Sequence, residues 1–302
     1  MARAMDPLPT NPNDPRLDGW YHTMELAPGV ITKGTWDLRP TADLVGIPSS
    51  LKGMTALDVG TANGFWAFEM ERRGADRVVA IDVADDGGAD ILPRWRAQRP
   101  PEEFLDTYRQ DRFLTAHAML KSHVDYRFLN VYDLSPDSIG GLFDVVYCGS
   151  LLLHLRDPLK ALINMRSVCK GIAVVETCSF HPDPIEETHD DKPYMYFGRV
   201  AWEGAELGRD VGYWSFTQRA LCDMLLYAGF SWVEPLAPFQ MQRGGINASI
   251  RSVPVVAHVK PNPEVQGFIR RQARIDQAES PPTPVSHRPM WRRVLSAIRN
   301  PD

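Results

Sequence analysis

The sequence lacks most of the features that mark membrane, secreted or metal-binding proteins. Four cysteines occur among 302 residues, none in C-x-x-C spacing, and no apolar run approaches the roughly 20 residues needed to cross a bilayer. No H-E-x-x-H pattern is present, so we predict no metal site. The N-terminal residues lack the apolar core of a secretory signal, and the formal net charge of −5 gives no general argument for nucleic acid. We therefore expect a globular cytoplasmic protein with buried free thiols.

Proline, aromatic and charged residues divide the chain into segments. Residues 1–18 are polar and proline-rich, which predicts a disordered arm, whereas residues 19–50 are dense in aromatic side chains and predict an N-terminal cap. Residues 51–260 alternate apolar strands with helical patterns, as a single α/β domain does. Within this domain, residues 177–214 interrupt the alternation and predict an insertion rich in aromatic and charged side chains. Residues 261–302 predict a peripheral basic tail.

The most informative segment is residues 55–82, TALDVGTANGFWAFEMERRGADRVVAID. An apolar strand leads into a glycine loop, then a helix, then a second strand that ends in Asp82. Glycines at Gly60 and Gly64 allow the backbone to approach a ligand, and the helix N-terminus offers free N–H groups. An acid about 20 residues after the loop can accept hydrogen bonds from the two hydroxyls of a ribose. The segment therefore predicts a nucleoside pocket.

The spacing within the loop indicates which nucleoside. A dinucleotide site needs G-x-G-x-x-G, but here Ala62 lies between the glycines and Trp66 occupies the place of the third. Asp58, two residues before the first glycine, suits an ammonium group better than a phosphate. Residues 58–64 resemble motif I, D-x-G-x-G-x-G, of class I S-adenosylmethionine-dependent methyltransferases. The resemblance implies S-adenosyl-L-methionine as cofactor and an α/β Rossmann-like fold, with a mostly parallel seven-stranded sheet and helices on both faces.

The last two strands predicted in the domain are expected to pair antiparallel, unlike the strands before them. Residues 143–148 form a continuous apolar run, which is typical of a parallel strand buried on both faces. The runs at 230–236 and 253–259 follow a helical segment over 217–228 that Gly229 ends. We expect these two runs to pair antiparallel and to complete the sheet.

Further cofactor contacts are predicted where later strands end. Asn130 follows the third strand of the domain, and its side-chain oxygen can meet the adenine amino group, while Val131 can offer a backbone N–H to the ring. Cys148, Gly149 and Ser150 follow the fourth strand and should pass near the transferable methyl group. The predicted cofactor-binding residues are Asp58, Gly60, Thr61, Ala62, Asn63, Gly64, Asp82, Val83, Asn130, Val131, Cys148, Gly149 and Ser150.

His154 is the first candidate for a catalytic base, because it follows the fourth strand at the edge of the sheet where ligands bind. A structural role, in which the imidazole bonds a loop carbonyl, is the alternative. His22 in the cap is a second candidate base. Aromatic residues that stack and basic residues that bind an anionic acceptor are predicted in the cap and in the insertion, on the acceptor side of the domain. The predicted acceptor-binding residues are Lys33, Trp36, Arg39, Tyr194, Tyr196, Arg199 and Trp214.

Among class I methyltransferases, residues 20–236 resemble the bacterial tRNA wobble-uridine methyltransferase-like family in particular. The resemblance is carried by LDVGTANGFWAFEMERRGADRVVAID, by FDVVYCGSLLLHLRDPLKAL, and by Val175-Glu176-Thr177. It implies transfer from a carboxylated S-adenosylmethionine to a hydroxyuridine of tRNA, although many relatives use the ordinary cofactor on other acceptors. Lys33 could match a family lysine. Leu153, however, stands where the family has its key tyrosine, which argues against the carboxylated cofactor.

Three functions are compatible with these patterns. The first is O-methylation of a small molecule or of a sugar hydroxyl, because aromatic residues in the cap and the insertion favour an enclosed pocket. The second is modification of tRNA. The third is a non-catalytic protein that keeps the fold and binds the cofactor. The sequence predicts no membrane partner, and it leaves the acceptor and the oligomeric state open.

Overall fold

The computed structural model describes residues 8–84, 88–90, 110–179, 192–197, 212–243 and 249–262. The chain divides into two compact units, Met1–Lys260 and Pro261–Asp302. The predicted basic tail lies outside the described residues, apart from its first two. Within the described part of the chain, none of the helices has the length and apolar character that crossing a membrane requires.

The described elements follow the predicted alternation of strands and helices. The strands are β1 (Asp18–His22), β2 (Glu25–Ala27), β3 (Val30–Ile31), β4 (Lys33–Asp37), β5 (Thr55–Val59), β6 (Arg77–Asp82), β7 (Asp125–Phe128), β8 (Phe143–Gly149), β9 (Cys169–Cys178), β10 (Met195–Phe197), β11 (Trp214–Phe216), β12 (Trp232–Pro235), β13 (Phe239–Arg243) and β14 (Ser249–His258). The α-helices are α1 (Phe65–Arg72), α2 (Gln110–Leu120), α3 (Pro136–Ile139), α4 (Pro158–Val168) and α5 (Gln218–Tyr227). Short 3-10 turns span Pro15–Leu17, Arg39–Thr41, Val131–Asp133 and Leu152–His154.

A central sheet organises the first unit, and the described residues contribute ten strands to it. Its order is β1-β4-β13-β14-β9-β8-β5-β6-β7, with β12 paired to β14. Neighbouring strands from β9 to β7 are parallel, whereas β9–β14, β14–β13 and β13–β4 are antiparallel. The predicted Rossmann-like, mostly parallel fold is confirmed. The predicted number of seven strands is too small, because β1, β4 and β13 extend the sheet at one edge.

The antiparallel end of the sheet forms as predicted. Strand β12 pairs with β14 in antiparallel register, with Trp232 opposite His258. The helix before this pair is α5, and Thr217 is its N-cap. The Thr217 side chain accepts a hydrogen bond from the Ala220 N–H at 3.2 Å. Gly229 ends it in a left-handed conformation with φ of 99°. Local capping signals therefore located this helix correctly.

The N-terminal residues differ from the predicted arm and cap. The Asp14 side chain caps the turn Pro15–Leu17, and Leu17 is fully buried. Trp20 is also buried, and its indole N–H donates to the Arg16 carbonyl at 2.8 Å. Pro9, Asp14 and Leu17 are buried, so residues 8–18 contact the domain at these positions, although most of their side chains are exposed. Residues 1–7 lie outside the described residues. The aromatic residues Trp20, Tyr21 and Trp36 of the predicted cap lie in β1 and β4, which belong to the main sheet.

Candidate active site

The glycine loop after β5 wraps closely around the end of β6. The backbone N–H groups of Gly60 and Thr61 both donate to the Ile81 carbonyl, at 2.9 and 3.1 Å. The loop adopts left-handed conformations at Gly60, Ala62 and Gly64, with φ of 79°, 48° and 94°. A Cβ at Gly64 would lie 2.4 Å from the Phe68 ring, so this position excludes any side chain. The loop is largely buried, with only Gly60 and Ala62 partly exposed.

Asp82 lies at the tip of β6 and binds the glycine loop. One carboxylate oxygen accepts from the Ala62 N–H and the other from the Val83 N–H, each at 2.8 Å. Partial burial raises the pKa of Asp82 to about 6, although both hydrogen bonds act in the opposite direction. Because each carboxylate oxygen can accept more than one hydrogen bond, Asp82 retains capacity for two hydroxyl donors of a ligand.

Asp58 and Asn63 hold the glycine loop in place through hydrogen bonds. Asp58 is buried, and its carboxylate accepts from the Thr61 hydroxyl at 2.6 Å. Burial raises the pKa of Asp58 to about 7, with a smaller contribution from the nearby Asp82. The Asn63 side-chain oxygen accepts from the Tyr21 N–H at 2.6 Å, which fastens β1 to the loop. Both side chains therefore orient the loop from outside the cleft described next.

A cleft of about 750 Å³, partly open to solvent, lies at the carboxyl edge of the parallel strands. It brings together six residues predicted from the sequence, which are Gly60, Asp82, Val83, Asn130, Val131 and His154. The sequence analysis missed ten of the other residues that line it, which are Val59, Ile81, Gly88, Ala89, Asp90, Leu129, Tyr132, Leu151, Leu155 and Gly212. Tyr213 also lines the cleft and is one of the aromatic residues of the predicted insertion, 177–214. The walls are mainly apolar, and Asp82 is the carboxylate at the glycine loop.

Asn130 has a structural role besides the one predicted. Its side-chain oxygen accepts from the Tyr132 N–H at 2.9 Å and caps the turn Val131–Asp133, and its amide donates to the Gly88 carbonyl at 2.6 Å. Asparagine caps such turns readily, and a sequence does not separate this use from a ligand contact. Asn130 also lines the cleft, and its oxygen can accept a second hydrogen bond, so the predicted contact with adenine stays a prediction.

Asp90 joins two walls of the cleft, and neither a motif nor a hydrophobic period in the sequence points to it. Its carboxylate accepts from the Tyr132 hydroxyl at 2.6 Å and from the Arg156 N–H at 2.7 Å. The Arg156 guanidinium completes an ion pair at 3.0 Å. Burial and the hydrogen bond to Asp90 raise the pKa of Tyr132, so this hydroxyl stays protonated. The network fixes the segment after β6 against the segment after β8.

The two candidate bases occupy different environments. His154 ends the turn Leu152–His154 and faces the cleft, half-buried. His22 is buried outside the cleft lining, with its ring 5.9 Å from the Phe65 ring. Burial lowers the pKa of His22 to about 3, so this imidazole binds a proton too weakly to act as a base at neutral pH. The prediction that His22 is catalytic is therefore wrong on geometric and electrostatic grounds.

The residues predicted near the methyl group shape the end of β8 and do not line the cleft. Cys148 is fully buried, which raises the pKa of its thiol. Gly149 is required because a Cβ at this position would overlap the Tyr147 hydroxyl. Ser150 turns the chain with φ of 50°. Leu151 is the first residue of this segment that reaches the cleft.

The predicted acceptor-binding residues are distributed over several environments. Lys33 forms an exposed ion pair with Asp18 at 2.7 Å, and Arg39 binds Asp37 through two hydrogen bonds at 2.8 and 2.7 Å. Trp36 is buried in the core. Among the described residues, none of these three lines the cleft. Arg199 lies outside the described residues.

The hairpin of β10 and β11 carries the remaining predicted aromatic residues. The Tyr194 and Tyr196 rings are 6.1 Å apart, and Trp214 contacts the exposed Phe197 ring at 5.1 Å. The hairpin approaches the cleft because the Tyr213 N–H, just before β11, donates to the carbonyl of Leu153 at 2.7 Å. The described residues contain no group of three or more His, Cys, Asp or Glu side chains arranged to hold a metal ion.

Comparison with known proteins identifies related sequences. A family model described as "Methyltransferase domain" matches residues 39–234. The tRNA U34 carboxymethyltransferase of Campylobacter hominis is 32% identical over 117 residues, which cover 39% of this chain and 33% of that protein. The ubiquinone biosynthesis O-methyltransferase of Xanthomonas campestris pv. campestris is 30% identical over 173 residues, which cover 53% of this chain and 62% of that protein. The chain thus spans less than two thirds of the length of these relatives.

Solved structures show the same fold. The N-terminal domain of EvdMO1 with SAH bound has a TM-score of 0.52, with 18% sequence identity over 81% of this chain and 93% of that chain. A second structure of the same domain, in the presence of SAH and D-fucose, has a TM-score of 0.51 with 19% identity. At this level of identity, the likeness concerns the fold alone.

Proposed function

We propose that this chain, which belongs to the methyltransferase domain family and has S-adenosylmethionine as its cofactor, methylates a hydroxyl group of a small molecule or a sugar. The observation that carries the proposal is the position of His154. His154 lines the same cleft as Asp82, the residue best placed to bind the cofactor ribose. Such a site combines a nucleoside pocket with a base for a hydroxyl acceptor.

The residues of the cleft fit the cofactor. Asp82 would accept hydrogen bonds from the ribose hydroxyls, Gly60 would allow close approach of the backbone, and Val131 and Leu155 would pack against the adenine. When bound, the cofactor supplies a methyl group on a positively charged sulfur, which an oxygen nucleophile can displace. The protein then has two tasks, which are to align the acceptor and to exclude water.

The contribution of Asp82 can be measured as affinity. Replacing Asp82 with alanine should weaken binding of S-adenosylhomocysteine by about 1–3 kcal/mol, because charge-assisted hydrogen bonds to the ribose are lost. Asp82→Asn should have a smaller effect, since the amide oxygen still accepts one hydrogen bond. Isothermal titration calorimetry provides the measurement, with Asp137→Ala, an exposed carboxylate in α3, as the control. An unchanged affinity for Asp82→Ala would exclude the ribose assignment.

His154 would accept the proton of the acceptor hydroxyl as the new carbon–oxygen bond forms. The backbone holds it in place, because the His154 N–H donates to the Leu151 carbonyl at 2.9 Å within the 3-10 turn. The hydrogen bond between Tyr213 and Leu153 ties this turn to the hairpin of β10 and β11. His22, with its low pKa and its position outside the cleft lining, does not compete for this role.

The surroundings of the cleft favour a small acceptor. Strand β11, which carries Trp214, lies beside the turn that carries His154. The Phe197 ring on β10 contacts Trp214 and is 73% exposed, so a ring or sugar face has a surface to stack on. Lys33 and Arg39 are engaged by carboxylates, which reduces their value for a phosphate backbone. The relative from Xanthomonas campestris is named as an O-methyltransferase, which supports oxygen as the acceptor atom.

Modification of tRNA is the second candidate. It is favoured by the relatives named tRNA U34 carboxymethyltransferase, such as that of Campylobacter hominis. Two features weigh against a carboxylated cofactor. Leu153 stands where that family has its key tyrosine, and Lys33 pairs with Asp18 instead of facing the cleft.

Transfer of radioactive methyl groups distinguishes these candidates. The purified chain is incubated with S-adenosylmethionine labelled on the methyl group, together with catechols, hydroxyquinones, free sugars or bulk unmodified tRNA. We expect label in a hydroxyl-bearing small molecule, accompanied by an equal amount of S-adenosylhomocysteine. Label in tRNA alone would support the second candidate. Tight cofactor binding with no transfer to any of these acceptors would support a non-catalytic binding protein.

A further inference from the structure

Glu176 is a buried carboxylate whose described partners are all uncharged. It lies near the carboxyl end of β9 and is 2% exposed. Its carboxylate accepts from the Ser150 hydroxyl at 3.1 and 3.2 Å and from the Ser252 hydroxyl at 2.5 Å. Within the described residues, it takes part in no ion pair of 4.0 Å or less. Burial of a carboxylate without a cation is unfavourable, and these three hydrogen bonds offset part of that cost.

Ser150 is the residue that Glu176 holds. Its φ of 50° lies in the left-handed region, which is unfavourable for a residue with a side chain. The Ser150 N–H donates to the Glu176 carbonyl at 2.8 Å, in addition to the bonds from its hydroxyl to the carboxylate. The Cys178 sulfur, 3.3 Å from the Ser150 hydroxyl, closes the same buried site. Main-chain and side-chain contacts of one residue therefore stabilise a strained turn.

The strained turn determines where the next four residues go. Leu151 lies against the glycine loop, since a Cβ at Gly60 would be 3.0 Å from its Cδ2. The 3-10 turn Leu152–His154 follows directly, and both Leu151 and His154 line the cleft. A change of the backbone at Ser150 would therefore move the imidazole relative to Asp82.

We propose that Glu176 is a positioning residue that acts through Ser150 on His154. Its carboxylate fixes the left-handed turn at Ser150, and this turn directs the His154 imidazole towards the acceptor. The inference rests on the proposed function, because it assigns the positioning of the base in that same site. Ser252, on β14, donates to Oε1 of the same carboxylate, the oxygen that also accepts the shorter Ser150 bond, and does not contact the turn through any described hydrogen bond.

The position of His154 can be measured directly by NMR. In protein labelled with ¹³C at the histidine rings, the His154 signal is identified by its loss in His154→Gln. We expect Glu176→Ala and Ser150→Ala each to shift or broaden this signal. The double variant should add little to the larger single effect, because both changes break one link. Glu176→Gln, which still accepts hydrogen bonds, should restore most of the native signal, and Ser252→Ala should leave it in place.

Two results would overturn the positioning role. One is an unchanged His154 signal in Ser150→Ala, a variant that leaves the carboxylate itself intact and so remains informative if Glu176→Ala fails to fold. The other is an equal displacement by Ser252→Ala, which would indicate general loosening of the core.

Turnover adds a readout that separates this inference from the proposed function. With a hydroxyl acceptor, Ser150→Ala should lower kcat by about 10–100-fold, as small misplacements of catalytic groups do. Affinity for S-adenosylhomocysteine should change less than about threefold, because Asp82 is untouched. The NMR comparison needs no acceptor, so its failure refutes the positioning role alone. A normal kcat in His154→Ala would refute the proposed base and leave the NMR result interpretable.

Discussion

Replacing His154 with alanine is expected to lower kcat for a hydroxyl acceptor by about 10²–10⁴-fold, the range typical of a lost general base. Affinity for S-adenosylhomocysteine should stay close to that of the wild type, since the ribose contact belongs to Asp82. This split between turnover and binding identifies a residue that acts in the transition state rather than in binding. The measurement is steady-state kinetics with the acceptor from the labelling experiment, together with calorimetry.

Two controls make the result specific to His154. His123→Ala removes an exposed histidine that pairs with Glu71 and does not line the cleft, so it should leave kcat unchanged. His154→Gln keeps a polar side chain of similar size but no basic nitrogen, so it should be as slow as His154→Ala. A near-normal kcat for His154→Gln, in a folded protein that binds S-adenosylhomocysteine, would assign His154 a structural role.

The parts of the fold that depend on local signals could be predicted from the sequence. The glycine loop, helix α1 and strand β6 follow one another within 28 residues, 55–82, and each carries its own pattern. The antiparallel pair of β12 and β14 was also predictable, because two apolar runs follow a helix whose end is marked by Gly229. Strands β1 and β4 were not, since their place in the main sheet depends on pairing with β13, some 200 residues away in the chain.

The site was predictable where function requires a particular residue type at a particular strand end. Asp82 and His154 lie in the cleft because carboxyl ends of parallel strands meet at one edge of the sheet. The roles of side chains that can bind either the chain itself or a ligand could not be assigned from the sequence. Asn130 caps a turn, and Arg39 binds the nearby Asp37, a pairing at two residues' separation that the sequence already contained.

Asp58 predicts an unusual dependence of stability on pH. Burial raises the pKa of this carboxyl from 3.8 to about 7 in the folded chain. Between these values the folded state keeps a proton that the unfolded chain has lost. Since the folded state then binds more protons, the free energy of unfolding falls as the pH rises through this window. The stabilising contribution is complete below 3.8 and is lost once the pH exceeds the folded-state value.

Asp58→Asn should remove this dependence, because the amide keeps the size of the side chain and still accepts a hydrogen bond from the Thr61 hydroxyl. Between about pH 4 and pH 8, the wild type should lose up to about 4 kcal/mol of stability relative to the variant, at 1.36 kcal/mol for each unit of pKa shift. Urea unfolding without cofactor measures the difference.

The comparison of variants isolates one carboxylate among several. Asp82 and Glu176 also have raised pKa values and titrate in both proteins, so their contributions cancel except for the repulsion between Asp82 and Asp58. Asp137→Asn, at an exposed position, should follow the wild type at every pH. If the stability of Asp58→Asn also changes with pH as that of the wild type does, the Asp58 carboxylate is ionised in the folded chain across the whole pH range. Its hydrogen bond to Thr61 would then be charge-assisted and would fix the glycine loop more firmly than a neutral carboxyl does.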